Sequence, residues 1–206
     1  MKKKKRYTSP PWRWYDFADT FFVECPACRN AAIVKIPGAF HTKKAAAHCI
    51  KCNWQTDYEA RQIYQPADNA VCAECNTKLP PSTIKLPKIN KFAIINCEKC
   101  TAQNRVVRWT KSTLKYNQTG IIEPVFGLNL YFQAQIGSNT LWVINEKHLH
   151  VILQFTEAKL RQKADVSYRM TFVEKLPKFI IAAKNREKVL ETLLRWEKAM
   201  EAFGLK

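Results

Sequence analysis

Glycine is scarce in this chain, at 5 residues in 206, and the five are scattered. A phosphate-cradling loop needs glycines clustered at fixed offsets, so nucleotide sites of that kind are excluded. Long apolar runs are also missing. No stretch of about 18 apolar residues is present to span a bilayer. The opening Met1 to Arg6 is a lysine run without the apolar segment of a signal peptide. These absences predict a cytoplasmic chain with no membrane partner. Acidic residues are few, 17 Asp plus Glu against 34 Lys plus Arg, which leaves a formal charge of +17. No nucleophile, base and orienting group assemble from the sequence, so it predicts no catalytic residue, no enzyme and no small-molecule substrate.

What is present is core and cysteine. Hydrophobic residues make up 47% and aromatics 12%, the composition of a folded protein. Eight cysteines fall into four Cys-x-x-Cys pairs: Cys25 with Cys28, Cys49 with Cys52, Cys72 with Cys75, and Cys97 with Cys100. In a reducing compartment such pairs ligate metal rather than form disulfides. The first two pairs map onto the last two with offsets of 47 and 48, so one metal unit is duplicated. A tight turn places two thiolates at adjacent corners of a tetrahedron, and a second turn from a distant strand closes the other two. Between the turns the sequence predicts three short strands per unit. They are Ala31 to Ile36, Lys44 to His48 and Trp54 to Glu59, then Thr83 to Leu86, Phe92 to Asn96 and Asn104 to Trp109. That is the zinc-ribbon plan, with two structural zinc ions as cofactors. Iron takes the same ligands, so the thiolates alone leave it open. His41 and His48 lie nearby, but a full set of four thiolates leaves them no vacancy.

Two tetrathiolate zinc sites bring the charge to about +13. The excess is most one-sided in residues 71–120, with 9 basic and 2 acidic residues. A surplus of this kind predicts an anionic partner. Lys85, Lys88, Lys91, Arg105, Arg108, Trp109 and Lys111 are the candidate nucleic-acid contacts. Arg105 and Trp109 share one side of a regular strand, where the ring stacks on a base while Arg holds phosphate.

Ahead of the first unit, Trp12, Arg13, Trp14, Tyr15, Phe17, Phe21 and Phe22 interleave aromatics with Arg, a pattern able to stack on unpaired bases, and the favoured expectation is that they cover the first ribbon. After the second, Leu128, Leu130 and Phe132 alternate with polar residues, and Gly137-Ser138-Asn139 turns the chain back through Leu141 and Val143 as a hairpin. Asn145 caps a helix predicted from Glu146 to Gln162. Pro177 opens a short helix ending near Ala183. Asn185 caps a third, with Val189, Leu193, Trp196, Met200 and Phe203 at helical spacing. His148 and His150 are two apart and make a poor metal pair.

Several of these segments resemble a known family: Cys-Pro-x-Cys at Cys25, Gly127 to Gln133, Leu141-Trp142, Asn145 with His148-Leu149, Ala158 to Arg161, and Leu176-Pro177-Lys178-Phe179 through Arg186. They are similar to uncharacterised bacterial proteins described as transcription-factor-IIB-type zinc-ribbon proteins. The resemblance spans most of residues 15–200 and implies zinc and this architecture. The chain departs from the common pattern after the second Cys of each turn, where Arg29, Asn53, Asn76 and Thr101 replace Gly.

The resulting expectation is an α+β protein: two tandem three-stranded zinc ribbons, then a small β-hairpin plus helical C-terminal domain. The boundaries fall at 1–22 for a basic and aromatic arm, 23–66 and 67–119 for the ribbons, and 120–206 for the last domain. The leading function is non-enzymatic nucleic-acid binding. The alternative is an adaptor, immunity or regulatory factor gripping an acidic protein.

Overall fold

A computed structural model describes residues 6–8, 12–38, 42–66, 70–79, 93–106, 109–117, 120–158, 160–162 and 171–204. Its elements run β1 (Arg6–Thr8), β2 (Thr20–Glu24), β3 (Ala31–Lys35), β4 (Ala46–Cys49), β5 (Gln55–Asp57) and β6 (Gln62–Pro66). They continue with β7 (Ala93–Asn96), β8 (Gln103–Val106), β9 (Trp109–Thr113), β10 (Phe132–Ile136), β11 (Asn139–Val143) and α1 (Glu146–Glu157). The last are β12 (Leu160–Gln162), α2 (Lys178–Ile181) and α3 (Arg186–Ala202). The architecture is mixed α+β with small, mostly antiparallel sheets.

The first cysteine unit carries a four-stranded sheet, β2-β3-β4-β5, where three strands were expected. The extra edge is β2, which straddles the expected boundary at residue 22. Phe21, Phe22 and Val23 are apolar in succession and all three are buried, as suits a strand covered on both faces. One side pairs with β3, Phe22 opposite Ile33. The other meets the C-terminal part: Phe22 N–H donates to Ile144 O, Tyr131 N–H to Phe22 O, and Val23 bridges Leu130. One core therefore runs from Phe17 and Val34 through Leu128 and Leu141 to Leu149, Leu193 and Met200, crossing the expected boundary at 119/120.

Phe21 and Phe22 of the arm lie on the ribbon's sheet as expected, whereas the part of the arm ahead of β2 docks on the C-terminal part. Tyr7 meets Phe155 edge-on at 5.5 Å, Phe17 lies 5.0 Å from Phe172, and Phe172 N–H donates to Trp12 O. β1 pairs in parallel with β12. That pairing shortens the first helix. Predicted to reach Gln162, α1 ends at Glu157, and the Arg186 guanidinium donates to the carbonyls of Glu157 and Ala158 at 3.0 Å each. Its start is as expected, with Asn145 Oδ1 accepting from His148 N–H. Asn185 precedes α3 without a capping bond: its backbone is already helical rather than extended, and its side-chain N–H donates to Phe179 O. The hairpin β10–β11 turns through two residues, with Gly137 at φ 63°. A tight turn ahead of it is held by Glu123, fully buried, whose carboxylate accepts N–H bonds from Val125, Phe126 and Leu128.

The second cysteine unit is carried differently. β6 and β9 form a separate antiparallel ladder, Pro66 opposite Trp109, and the unit lies between those strands in sequence. It has its own small core of Cys72, Leu79, Ile95, Cys97 and Val106 around β7–β8. The predicted strand Thr83 to Leu86 lies outside the described residues. The predicted strand Asn104 to Trp109 is divided: β8 ends at Val106, and Trp109 opens β9, whose partner is β6.

Candidate metal centres and basic surface

Each centre is built from two turns facing one another. In three of the four, the residue after the second Cys takes a left-handed conformation, Arg29 at φ 58°, Asn76 at 56° and Thr101 at 60°. This lets its N–H donate back to the first Cys carbonyl at 2.9 Å in each case. The first Cys N–H is held in turn by the carbonyl five residues on: Cys25 by Asn30, Cys72 by Thr77, Cys97 by Ala102. Cys49 follows that second bond, to Trp54 O at 2.9 Å, but Asn53 is not left-handed. There the N–H groups of Lys51 and Cys52 turn instead toward Cys49 Sγ, at 3.3 and 3.4 Å. Glycine is thus dispensable at these corners, at a strain of about 1–3 kcal/mol for a residue held left-handed.

The turns gather Cys25, Cys28, Cys49 and Cys52 into one cluster and Cys72, Cys75, Cys97 and Cys100 into the other, the sulfurs of each lying within 4.8 Å of one another. Measured across the turns, Cys25–Cys52 is 3.8 Å, and Cys28–Cys49, Cys72–Cys100 and Cys75–Cys97 are 3.5 Å each. A disulfide needs about 2.05 Å. Four thiolates at 2.3 Å from a tetrahedral zinc stand roughly 3.8 Å apart. Both clusters are therefore suited to hold zinc. The alternation of buried first Cys and half-buried second Cys repeats in all four turns. His48, exposed on β4, stays out of the ligand set, and His41 lies outside the described residues.

Amide groups around the sulfurs favour the thiolate. Asn30 donates to Cys28 Sγ at 3.4 Å, and bonds from its side chain and then its backbone bring that thiol down to about 6. Cys72 also falls to about 6, through the Cys75 N–H foremost, with the Asn104 amide adding to it against the cost of burial. Cys52 goes the other way. A backbone bond from Trp54 lowers it, yet burial and three neighbouring thiols push it up to about 12. Four sulfurs this close cannot all carry charge without a cation among them.

Asn30, Thr77 and Asn104 were not singled out in the sequence. Asn30 and Thr77 occupy equivalent places, two residues after the second Cys of each unit, and Thr77 Oγ1 lies 3.3 Å from Cys75 Sγ. The duplication is the signal that would have found them. Asn104 has no such marker. Buried on β8, it accepts from Ala73 N–H at 2.8 Å and donates to Ala102 O at 2.9 Å and Cys72 Sγ at 3.4 Å.

Of the candidate nucleic-acid contacts, Arg105 is exposed on β8 and pairs with exposed Ile94 on β7. Asn96 and Gln103 complete that outward face. Lys85, Lys88, Lys91 and Arg108 lie outside the described residues. Trp109 and Lys111 are placed by their backbone on β9. Among the described residues Arg105 and Trp109 lie on different strands, β8 and β9, which belong to different ladders. No described helix is long and apolar enough to cross a membrane. No protein-family model, curated protein or solved structure matches the chain.

Proposed function

We propose that this chain is a non-enzymatic zinc-ribbon protein with two structural zinc ions, and that it binds nucleic acid through the basic surface of its second ribbon. The carrying observation is the placement of that ribbon. Its core is separate from the main one, and the outward face of β7–β8 presents Arg105 beside Ile94, Asn96 and Gln103, with Lys78 and Lys99 exposed on the same unit. Nine basic and two acidic residues in 71–120 give the region the field an anionic chain needs. Closed sets of four thiolates leave no coordination position for water, which supports a structural metal. The resemblance to the bacterial zinc-ribbon family agrees with the metal and is silent on the partner.

Binding of single-stranded and duplex RNA and DNA across a salt series tests this. Affinity is expected to fall steeply with salt, and Arg105→Glu with Lys99→Glu to abolish it, each lost phosphate contact lowering the logarithmic slope by roughly 0.7 to 0.9. Binding that is absent at about 0.15 M salt, or unaffected by the reversal, defeats the reading. The second reading, a protein-binding adaptor, draws on Ile94 and Val71, 55% and 47% exposed on the same ribbon. Apolar residues with that exposure suit a protein surface better than a phosphate backbone.

A further inference from the structure

Away from both metal clusters, the arm, β11, α1 and the segment before α2 enclose a pocket of about 630 Å³. That is within the roughly 300–1,000 Å³ usual for small-molecule sites. Its walls include the rings of Trp14, Trp142 and Phe172. Among the described residues two cations, Arg13 and Lys175, line it, and no Asp or Glu does. At its inner side stands His148, 1% exposed, ringed by Phe172 at 4.8 Å, Trp142 and Phe17 at 5.5 Å and Trp14 at 6.0 Å.

His148 is an expensive residue to bury there. Its Nδ1 accepts from Ile144 N–H at 3.1 Å, which places the proton of a neutral ring on Nε2. Nε2 is buried and has no hydrogen-bond partner among the described residues. An apolar side chain would remove the Nε2 donor but leave Ile144 N–H without its acceptor, and a buried donor without a partner costs about 1–3 kcal/mol. Nε2 is closed off from solvent, and of the surrounding rings only Trp14 is substantially exposed, at 44%, so Trp14 is the ring a ligand has to displace to reach it.

We infer that this pocket binds a nucleotide, taking a planar base against its aromatic lining with a ring acceptor on His148 Nε2–H and the phosphate at Arg13 and Lys175. An exposed ring face favours a flat ligand, and stacking on it tolerates every base. A single donor inside an apolar wall suits a neutral ring nitrogen or carbonyl, since an anion there would lose its hydration. The anion belongs beside the cations. Free mononucleotides and an unpaired nucleotide of a strand share this chemistry. The inference rests on the pocket and not on the ribbon surface.

Calorimetry on the full zinc-loaded chain tests it with the four ribonucleoside monophosphates, ribose 5-phosphate, indole-3-acetate and single-stranded tetranucleotides. At least one mononucleotide or tetranucleotide is expected to bind with Kd of about 1 mM or tighter. Ribose 5-phosphate, which lacks the base, and indole-3-acetate, which lacks the ring acceptor, are expected about tenfold weaker. Trp14→Ala and Lys175→Glu, both at exposed positions, are each expected to weaken binding about tenfold. His148→Phe should do the same where it folds. Equal affinity for a mononucleotide and a tetranucleotide identifies the free ligand, and a tenfold preference for the tetranucleotide identifies the strand. The inference is overturned if no nucleotide binds, if indole-3-acetate binds as well, or if Trp14→Ala and Lys175→Glu leave binding unchanged. Arg105→Glu with Lys99→Glu should leave mononucleotide binding intact, which separates failure here from failure at the ribbon.

Discussion

His148 shows how much a single side chain can tie to its surroundings. Burial pushes its pKa down to about 3, so the native ring is neutral near pH 7 while an unfolded chain would take up a proton below about 6.5. The unfolded state therefore binds more protons between those values. The stability that this group supports is complete above about pH 6.5 and declines as the pH falls toward about 3. Between pH 7 and pH 5 the loss should be about 2 kcal/mol. Urea unfolding at the two pH values in excess zinc, for the parent and His148→Phe, isolates it. Acid also weakens both thiolate sites, but it does so in both proteins, and the missing acceptor for Ile144 N–H is likewise common to both pH values. The variant should lose about 2 kcal/mol less than the parent, and equal losses would show that His148 does not titrate as its burial implies.

At the level of elements, the cysteine turns combine an obligatory geometry with residues ill suited to it. Thr101 is the clearest case, since a β-branched side chain at φ 60° is strained more than Arg or Asn. Its hydroxyl donates to Cys100 O at 2.6 Å, which offsets part of that strain. Thr101→Gly should therefore tighten zinc at the second cluster, by about 1 kcal/mol or some fivefold in chelator competition. An unchanged or weaker affinity would mean that the hydroxyl bond outweighs the strain. Such turns were legible in the sequence because ligand spacing is local, and so were the β10–β11 hairpin and the Asn145 cap. What was illegible depends on partners far along the chain. The end of α1 is set by β1 and by Arg186, and the fate of the arm by Asn145, whose amide donates to Phe17 O and Thr20 O across more than a hundred residues. The β2 edge strand was missed for the same reason, since Phe21 to Val23 are buried by Ile33, Leu130 and Ile144 together.

For the whole molecule, the distribution of core decides which parts can stand alone. The main cluster draws on the arm, the first ribbon, the hairpin and both long helices, and takes in no described residue of 67–108, although Tyr116 packs against it. Burying a side chain such as Phe21, Leu141 or Leu193 stabilises by about 1.5–3 kcal/mol, and these contacts join the expected arm, first ribbon and C-terminal domain into one core. Residues 120–206 expressed alone would expose the face of Leu130 and Ile144 that β2 covers, together with the groove filled by Phe17. Removing residues 67–108 would expose almost none of the main core. Because Pro66 already faces Trp109 across the β6–β9 ladder, an Asn-Gly pair could close that ladder as a two-residue hairpin. The shortened chain should bind one zinc instead of two and keep the thermal midpoint of the main transition within about 4 °C, the shift of roughly 1 kcal/mol in a domain of this size. The 120–206 fragment should show no cooperative melt even with zinc present. Elemental analysis and calorimetric scans of the two proteins check both halves. A shortened chain that fails to fold would mean that the second ribbon supports the core from outside it. A fragment that melts cooperatively would mean that hairpin and helices form a domain whose contact with β2 is docking rather than folding.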